Sequence, residues 1–187
     1  MRRIVNNFIS VLVTMIKIVV LKMVRGTNFN ASIVQRISPN VVLEFNKGSK
    51  VTLGRRVRIH SGSKIKVRPC ANLIIENNVK MNYNCIIVCH EKIVIGEGTE
   101  FGPSVYLYDH DHDYKMGLNS DSAQERYLKA PIIIGKNCWI GANTIILRGT
   151  VLGDGCVVGA GSVVKGIVPA GTVYTQKRTV ELRRVKE

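Results

Sequence analysis

The chain has 187 residues, 45% of them apolar, which fits one domain or one domain plus a short appendage and excludes intrinsic disorder as the main state. Lys and Arg total 27 against 13 Asp and Glu, a formal charge of +14 that favours anionic partners: nucleic acid, acidic lipid, a phosphorylated cofactor or an acidic sugar polymer. Seventeen Gly with 6% aromatics suit a chain that turns often and packs small side chains, and five Cys without a CxxC suit free thiols in a reducing compartment.

Residues 1–26 predict an apolar, amphipathic helix. From residue 4 to 24 the chain is apolar except for Asn7, Ser10, Thr14, Lys17 and a few neighbours. Arg3, Asn7, Ser10, Thr14 and Lys17 follow one another at steps of four, three, four and three, so they share one stripe opposite a broad apolar face. Arg2, Arg3, Lys22 and Arg25 flank the segment. A spanning helix needs about 20 apolar residues, and Lys17 would lie near the bilayer centre. No A-x-A signal follows that would mark a cleaved signal peptide. Three readings stay open: a helix on a membrane surface, a helix packed on its own domain or oligomer, and a true anchor. The expected location is cytoplasmic, with the first reading placing residues 4–24 at the inner face of the membrane.

A period of six dominates the rest. Aliphatic residues stand at Ile134, Ile140, Ile146, Leu152, Val158 and Val164, with small residues four positions on at Cys138, Thr144, Thr150, Cys156 and Ser162. The same phase runs backward through Ile95, Phe101 and Leu107, then Ile75, Met81 and Ile87, then Leu53, Ile59 and Ile65. The steps between sets exceed six by four, two and 21 residues, and every excess follows a third hexapeptide. Three hexapeptides therefore close one triangular coil of 18 residues, and all excursions leave at one corner. Stacked coils bury a column of aliphatic side chains, with the small residue on the crowded inside.

This pattern resembles the hexapeptide repeat of left-handed parallel β-helix acyltransferases, over residues 41–175. The resemblance implies an all-β fold: a left-handed parallel β-helix of hexapeptide repeats with an N-terminal apolar helix and one long excursion loop, residues 109–131. Residues 176–187 form a basic C-terminal tail. Polar, charged and Gly residues dominate the loop. It opens with Asp109-His110-Asp111-His112-Asp113, and in an extended segment His110 and His112 point to the same side. Acyl transfer from a thioester to a hydroxyl needs a base, and imidazole, which titrates near pH 6.5 in general, suits that work at neutral pH.

The loop is also similar to the galactoside, maltose and colanic-acid O-acetyltransferase group of that superfamily. There the catalytic His follows an aliphatic residue by five, which from Leu107 gives His112, with Asp113-Tyr114 resembling the H-D-Y of the colanic-acid branch; His110 is the second candidate. Asn82-Tyr83-Asn84 resembles the N-F-N segment whose first Asn contacts the acceptor sugar. Asn137 to Ala142 resembles N-x-W-I-G-[SA], which implies that Trp139 lines the site for acceptor and acyl donor. By the same resemblance Ala142 and Ala160 meet the pantetheine arm of acetyl-CoA. The family's G-N-P-A tail is absent, and Lys165, Lys177 and Arg178 are the candidate partners of the CoA phosphates. The resemblance further implies a homotrimer with sites between subunits.

No metal site is expected, and Cys138 and Cys156 are expected as free core thiols one coil apart. Cys85 takes the inward position, Cys70 and Cys89 fall in corner insertions, and His60 and His90 are expected as exposed corner residues. Arg55, Arg56, Arg58, Lys64, Lys66 and Arg68 form a basic patch. No RNA- or DNA-binding motif appears, so a membrane surface or acidic glycan is the more economical anionic partner. The expectation is an acetyl-CoA-dependent O-acetyltransferase acting on a sugar of a bacterial surface polysaccharide, with N-acetylation of an amino sugar or a non-catalytic scaffold as alternatives.

Overall fold

The computed structural model describes residues 2–113, 126–177, 179 and 181, with side chains from residue 8 onward. Its body is a parallel β-helix with three faces. The first face stacks Phe29–Ala31, Lys50–Leu53, Asn72–Ile75, Lys92–Ile95, Ile132–Ile134, Val151–Leu152 and Ile167–Val168. The second stacks Arg36–Ile37, Arg58–Ile59, Lys80–Met81, Glu100–Phe101, Trp139–Ile140, Val157–Val158 and Val173–Tyr174. The third stacks Val42–Phe45, Lys64–Val67, Ile86–Cys89, Tyr106–Tyr108, Ile145–Leu147 and Val163–Val164.

The hexapeptide phase sets the register. Leu53 pairs with Ile75, Ile75 with Ile95, Ile95 with Ile134, and Ile134 with Leu152, all inside the coil. The small residues four positions on are buried too: Ser63, Cys85, Thr99, Cys138, Thr144, Thr150, Cys156 and Ser162. Their hydroxyls and thiols are turned onto backbone carbonyls inside the coil, as Thr99 Oγ1 is on Gly135 O at 2.8 Å. The thiols of Cys138 and Cys156 are free and lie against the carbonyls of Gly153 (3.2 Å) and Pro169 (3.0 Å). Cys89, expected in a corner insertion, instead ends the strand Ile86–Cys89 and is fully buried, because it continues the inward alternation one step past Ile87.

The coil begins earlier than residue 41. Ala31, Ile37 and Leu43 pair with Leu53, Ile59 and Ile65, so a complete first coil precedes the one where large aliphatic residues announce the repeat. Its steps of six were legible, but Ala31 supplies only a methyl at the first rung. Helix α1, Arg2–Arg25, closes this open end by packing on the first and second faces. Thr14 and Ile18 are buried there. The Thr14 hydroxyl accepts from Ile37 N–H (3.2 Å), and its proton lies between two acceptors, Ser10 O (2.6 Å) in the helix and Ile37 O (2.8 Å) in the coil. The Arg25 guanidinium donates to the carbonyls of Phe45 and Asn46 and to Ser49 Oγ. At the other end the Gln176 amide does the same for Val163, accepting from its N–H at 3.0 Å and donating to its carbonyl at 2.9 Å.

Candidate active site

The histidine loop leaves the third face just after Leu107, whose side chain is fully buried in the coil. Two residues on, Asp109 keeps the inward direction of the strand and is also fully buried. Its carboxylate accepts the backbone N–H groups of His90 (2.7 Å), Glu91 (2.8 Å) and Lys92 (3.0 Å), where the preceding coil turns its corner into the strand Lys92–Ile95. A carboxylate with three N–H donors is well satisfied in a buried place, and it ties the loop base to the coil below.

From this anchor the strand His110–His112 rises and pairs antiparallel with Tyr127–Lys129, His110 opposite Lys129 and His112 opposite Tyr127. Strand alternation puts both imidazoles on one side, as the sequence predicts, and both meet the Tyr127 ring, at 5.2 and 4.9 Å between centroids. Asp111 takes the other side and forms an ion pair with Arg148.

The two histidines differ in their surroundings. His110 stacks on His90 with ring centroids 3.7 Å apart and 26° between planes. His90 was expected as an exposed corner residue; it is half-buried, because the hairpin folds over its corner. Burial pushes the His90 imidazole down to about 4, with the His110 imidazole adding to the effect. Burial also lowers His110, against the opposing pull of the Asp109 carboxylate. His110 Nδ1 lies 3.5 Å from Asp109 Oδ1, too long for a hydrogen bond. His112, one rung further out, is exposed.

Beside the stack, Asn46, Arg68, Pro69, His90, Tyr127 and Lys129 line a cleft of about 480 Å³. Arg68 is held at its wall by Glu44 at 2.8 Å, and Lys129 is exposed. Among the described residues no three His, Cys, Asp or Glu side chains are placed to hold a metal ion.

Asn82, Asn84, Ala142 and Ala160 line a different corner, between the second and third faces. Asn82 and Asn84 turn the third coil there: Asn82 Oδ1 accepts the Tyr83 N–H at 2.9 Å, and Asn84 adopts φ +58°. Gly102, Ala142 and Ala160 continue the same corner on the next three coils. The chain turns so tightly here that a side chain on Gly141 would bring its Cβ within 2.5 Å of Ala160 N. Ala142 is half-buried at this corner and Ala160 is exposed. Trp139 stands on the outer side of the second face between Glu100 and Val157, with 61% of its surface exposed. Lys165 and Lys177 are exposed near the C-terminal end, and Arg178 lies outside the described residues. One chain thus gathers His90, His110, His112 and Tyr127 at one corner and places Asn82, Asn84, Ala142 and Ala160 at another. Sequence reasoning missed the anchor role of Asp109 and the ring contacts of His90 and Tyr127. Asp109 carries a signal: a carboxylate at inward parity, two residues past an aliphatic rung.

Residues 131–165 match the family described as hexapeptide repeat of succinyl-transferase. Nodulation protein L of Rhizobium meliloti (strain 1021) is 45% identical over 100 residues, 54% of this chain and 53% of that protein. Galactoside O-acetyltransferase of Escherichia coli (strain K12) is 33% identical over 103 residues, 55% of this chain and 49% of that protein. The chain therefore spans about half the length of the curated relatives it matches. Among solved structures, a point mutant of AntD, an N-acyltransferase from Bacillus cereus, in complex with dTDP-4-amino-4,6-dideoxyglucose and Coenzyme A, superposes with a TM-score of 0.67 at 20% identity, over 88% of each chain, a likeness of fold.

Proposed function

We propose that this chain, a hexapeptide-repeat β-helix similar to the galactoside, maltose and colanic-acid O-acetyltransferases, transfers the acetyl group of acetyl-CoA to a sugar hydroxyl in the building of a surface polysaccharide. His112 is the general base. It takes the proton of the acceptor hydroxyl as that oxygen attacks the thioester carbonyl; the C–S bond then breaks and the CoA thiolate leaves, to be protonated. The observation that carries this reading is the contrast between the two loop histidines: His110 is engaged in a stack with His90, and His112 stands exposed beside Tyr127.

The donor is read at the corner of Ala142 and Ala160, where small residues admit the pantetheine arm, with Trp139 beside it and Lys165 and Lys177 as the described partners for its phosphates. Asn82 is read as an acceptor contact. Arg68 and Lys129 in the cleft beside the stack suit an acceptor that carries phosphate or carboxylate. The histidine hairpin and the alanine corner sit at opposite ends of the third-face strands, roughly 15 Å apart in the strand direction. The reading therefore completes each site between two copies of a homotrimer. An outward line of Ile74, Val94, Ile133, Val151 and Ile167 along the first face is suited to that packing.

The test is acceptor-dependent release of CoA from acetyl-CoA with a panel of sugars, amino sugars, nucleotide sugars and oligosaccharides. Loss of about 100-fold or more in His112→Ala, with His110→Ala affected less, is the expected result. Loss confined to His110→Ala moves the base by two residues. Products acetylated at nitrogen replace the O-transfer, and absence of both release and acetyl-CoA binding refutes the enzyme.

A further inference from the structure

Helix α1 is docked the unusual way round. The polar stripe legible in the sequence faces the coil: Thr14 is bonded to Ile37, Lys17 donates to Pro39 O, and Arg25 donates to Phe45 and Asn46. These side chains satisfy backbone groups at the open edge of the first coil. The apolar face consequently points away from the protein. Phe8, Leu12, Ile16, Val20, Met23 and Val24 stand on it, all exposed, Phe8 by 69% and Met23 by 79%. A groove of about 440 Å³ between α1 and the coil, lined by Ile16, Val20, Leu21, Val41 and Leu43 with Lys17, extends this surface. An exposed apolar area of this kind on a single helix marks an interaction surface.

The charge distribution identifies what covers it. Residues 1–71, the helix and the first two coils, contain 14 of the 27 Lys and Arg but one of the 13 Asp and Glu, Glu44. They carry +13 of the total +14, while the rest of the chain, with 13 basic and 12 acidic residues, is close to neutral. The helix itself has no acidic residue, and Lys17 and Lys22 lie along the two edges of its apolar face. Among the described residues no helix is long and apolar enough to cross a membrane. Apolar side chains on one face, cations at its edges and a strongly basic body behind it match a helix lying in the plane of an anionic bilayer. We propose that α1 and the basic first coils dock this protein on an anionic lipid surface, with the apolar face of α1 inserted at the headgroup boundary and the coil standing off the membrane.

The experiment is vesicle flotation of the full chain, with phosphatidylcholine vesicles and with vesicles containing phosphatidylglycerol, at low and high salt. The expected result is flotation with the anionic vesicles only, weakened by salt, and reduced about tenfold or more in Leu12→Glu/Ile16→Glu. Arg55→Glu/Arg56→Glu, which leaves the apolar face intact, is expected to lower flotation as well. Circular dichroism melting and mass by light scattering accompany each variant, and both are expected unchanged. A chain that stays in the aqueous phase with anionic vesicles overturns the proposal. So does flotation indifferent to Leu12→Glu/Ile16→Glu, and so does a parent assembly whose mass falls in that variant, which would assign the face to a second copy. These readouts are independent of CoA release, so either proposal can fail alone.

Discussion

The carboxylate of Asp109 accepts the backbone N–H of His90 at 2.7 Å, joining the first residue of the histidine loop to the corner of the coil beneath it. Through this contact, and those to Glu91 and Lys92, the loop base is part of the core rather than an appendage. Asp109→Ala would strand three N–H groups in a buried corner. The expected loss is about 3 kcal/mol or more of unfolding free energy, with Asp109→Asn, which retains one good acceptor, losing less. Urea unfolding of both variants beside the parent checks the order.

The His90–His110 stack gives the fold a pH dependence of definite sign. In the unfolded chain these imidazoles titrate near 6.5. In the folded chain His90 binds its proton only near 4, and His110 is lowered as well. Between these values the unfolded state holds more protons, so stability is full above about pH 6.5 and declines as pH falls toward 4. Unfolding midpoints from pH 7 downward should show this decline, and His90→Phe should flatten part of it. A decline of the same steepness in His90→Phe would assign it to other groups.

Gly141 occupies a place that no side chain fits, although its φ is ordinary. A Cβ there would lie 2.5 Å from Ala160 N and 2.8 Å from Ala160 Cα, both backbone atoms of the next coil. Gly141→Ala should therefore cost about 2 kcal/mol by forcing adjacent coils apart. The same substitution should weaken acetyl-CoA binding, measured by calorimetry at a temperature where the variant remains folded.

Thr14 serves the edge of the coil through its hydroxyl, which accepts from Ile37 N–H and shares its proton between Ile37 O and Ser10 O. Thr14→Val keeps the shape and removes the hydroxyl's bonds to the coil, for an expected loss of about 1–2 kcal/mol, whereas Thr14→Ser should keep most of the stability. Thermal melting of the two variants separates the hydroxyl from the packing of the side chain.

The coil was legible because its rule is strictly periodic: an aliphatic residue every six positions, a small one four later, and excess length at one corner only. Every rung from Leu53 to Val164 falls where this phase puts it. The rule failed where chemistry at a rung departs from it, as at Ala31, and where closure uses side chains in place of strands, as at Thr14, Arg25 and Gln176. Those contacts join residues far apart in sequence and have no local spacing to betray them. In the loop, alternation gave the common side of His110 and His112, but their unequal surroundings depend on His90 and Tyr127, brought in by folding. The polar stripe of α1 was also plain in the sequence. Its direction was not, because an amphipathic helix ordinarily turns its apolar side inward, and here the exposed carbonyls of the first coil claim the polar side instead.

All excursions leave the stack between the third and first faces, at residues 46–49, 68–71, 90–91 and 109–131, so no rung depends on their length. Coil geometry and loop content are thereby physically separable. The seam can be lengthened, trimmed or rewritten while the buried columns on either side keep their register; the corner acts as a margin in which new text can be written without resetting the page.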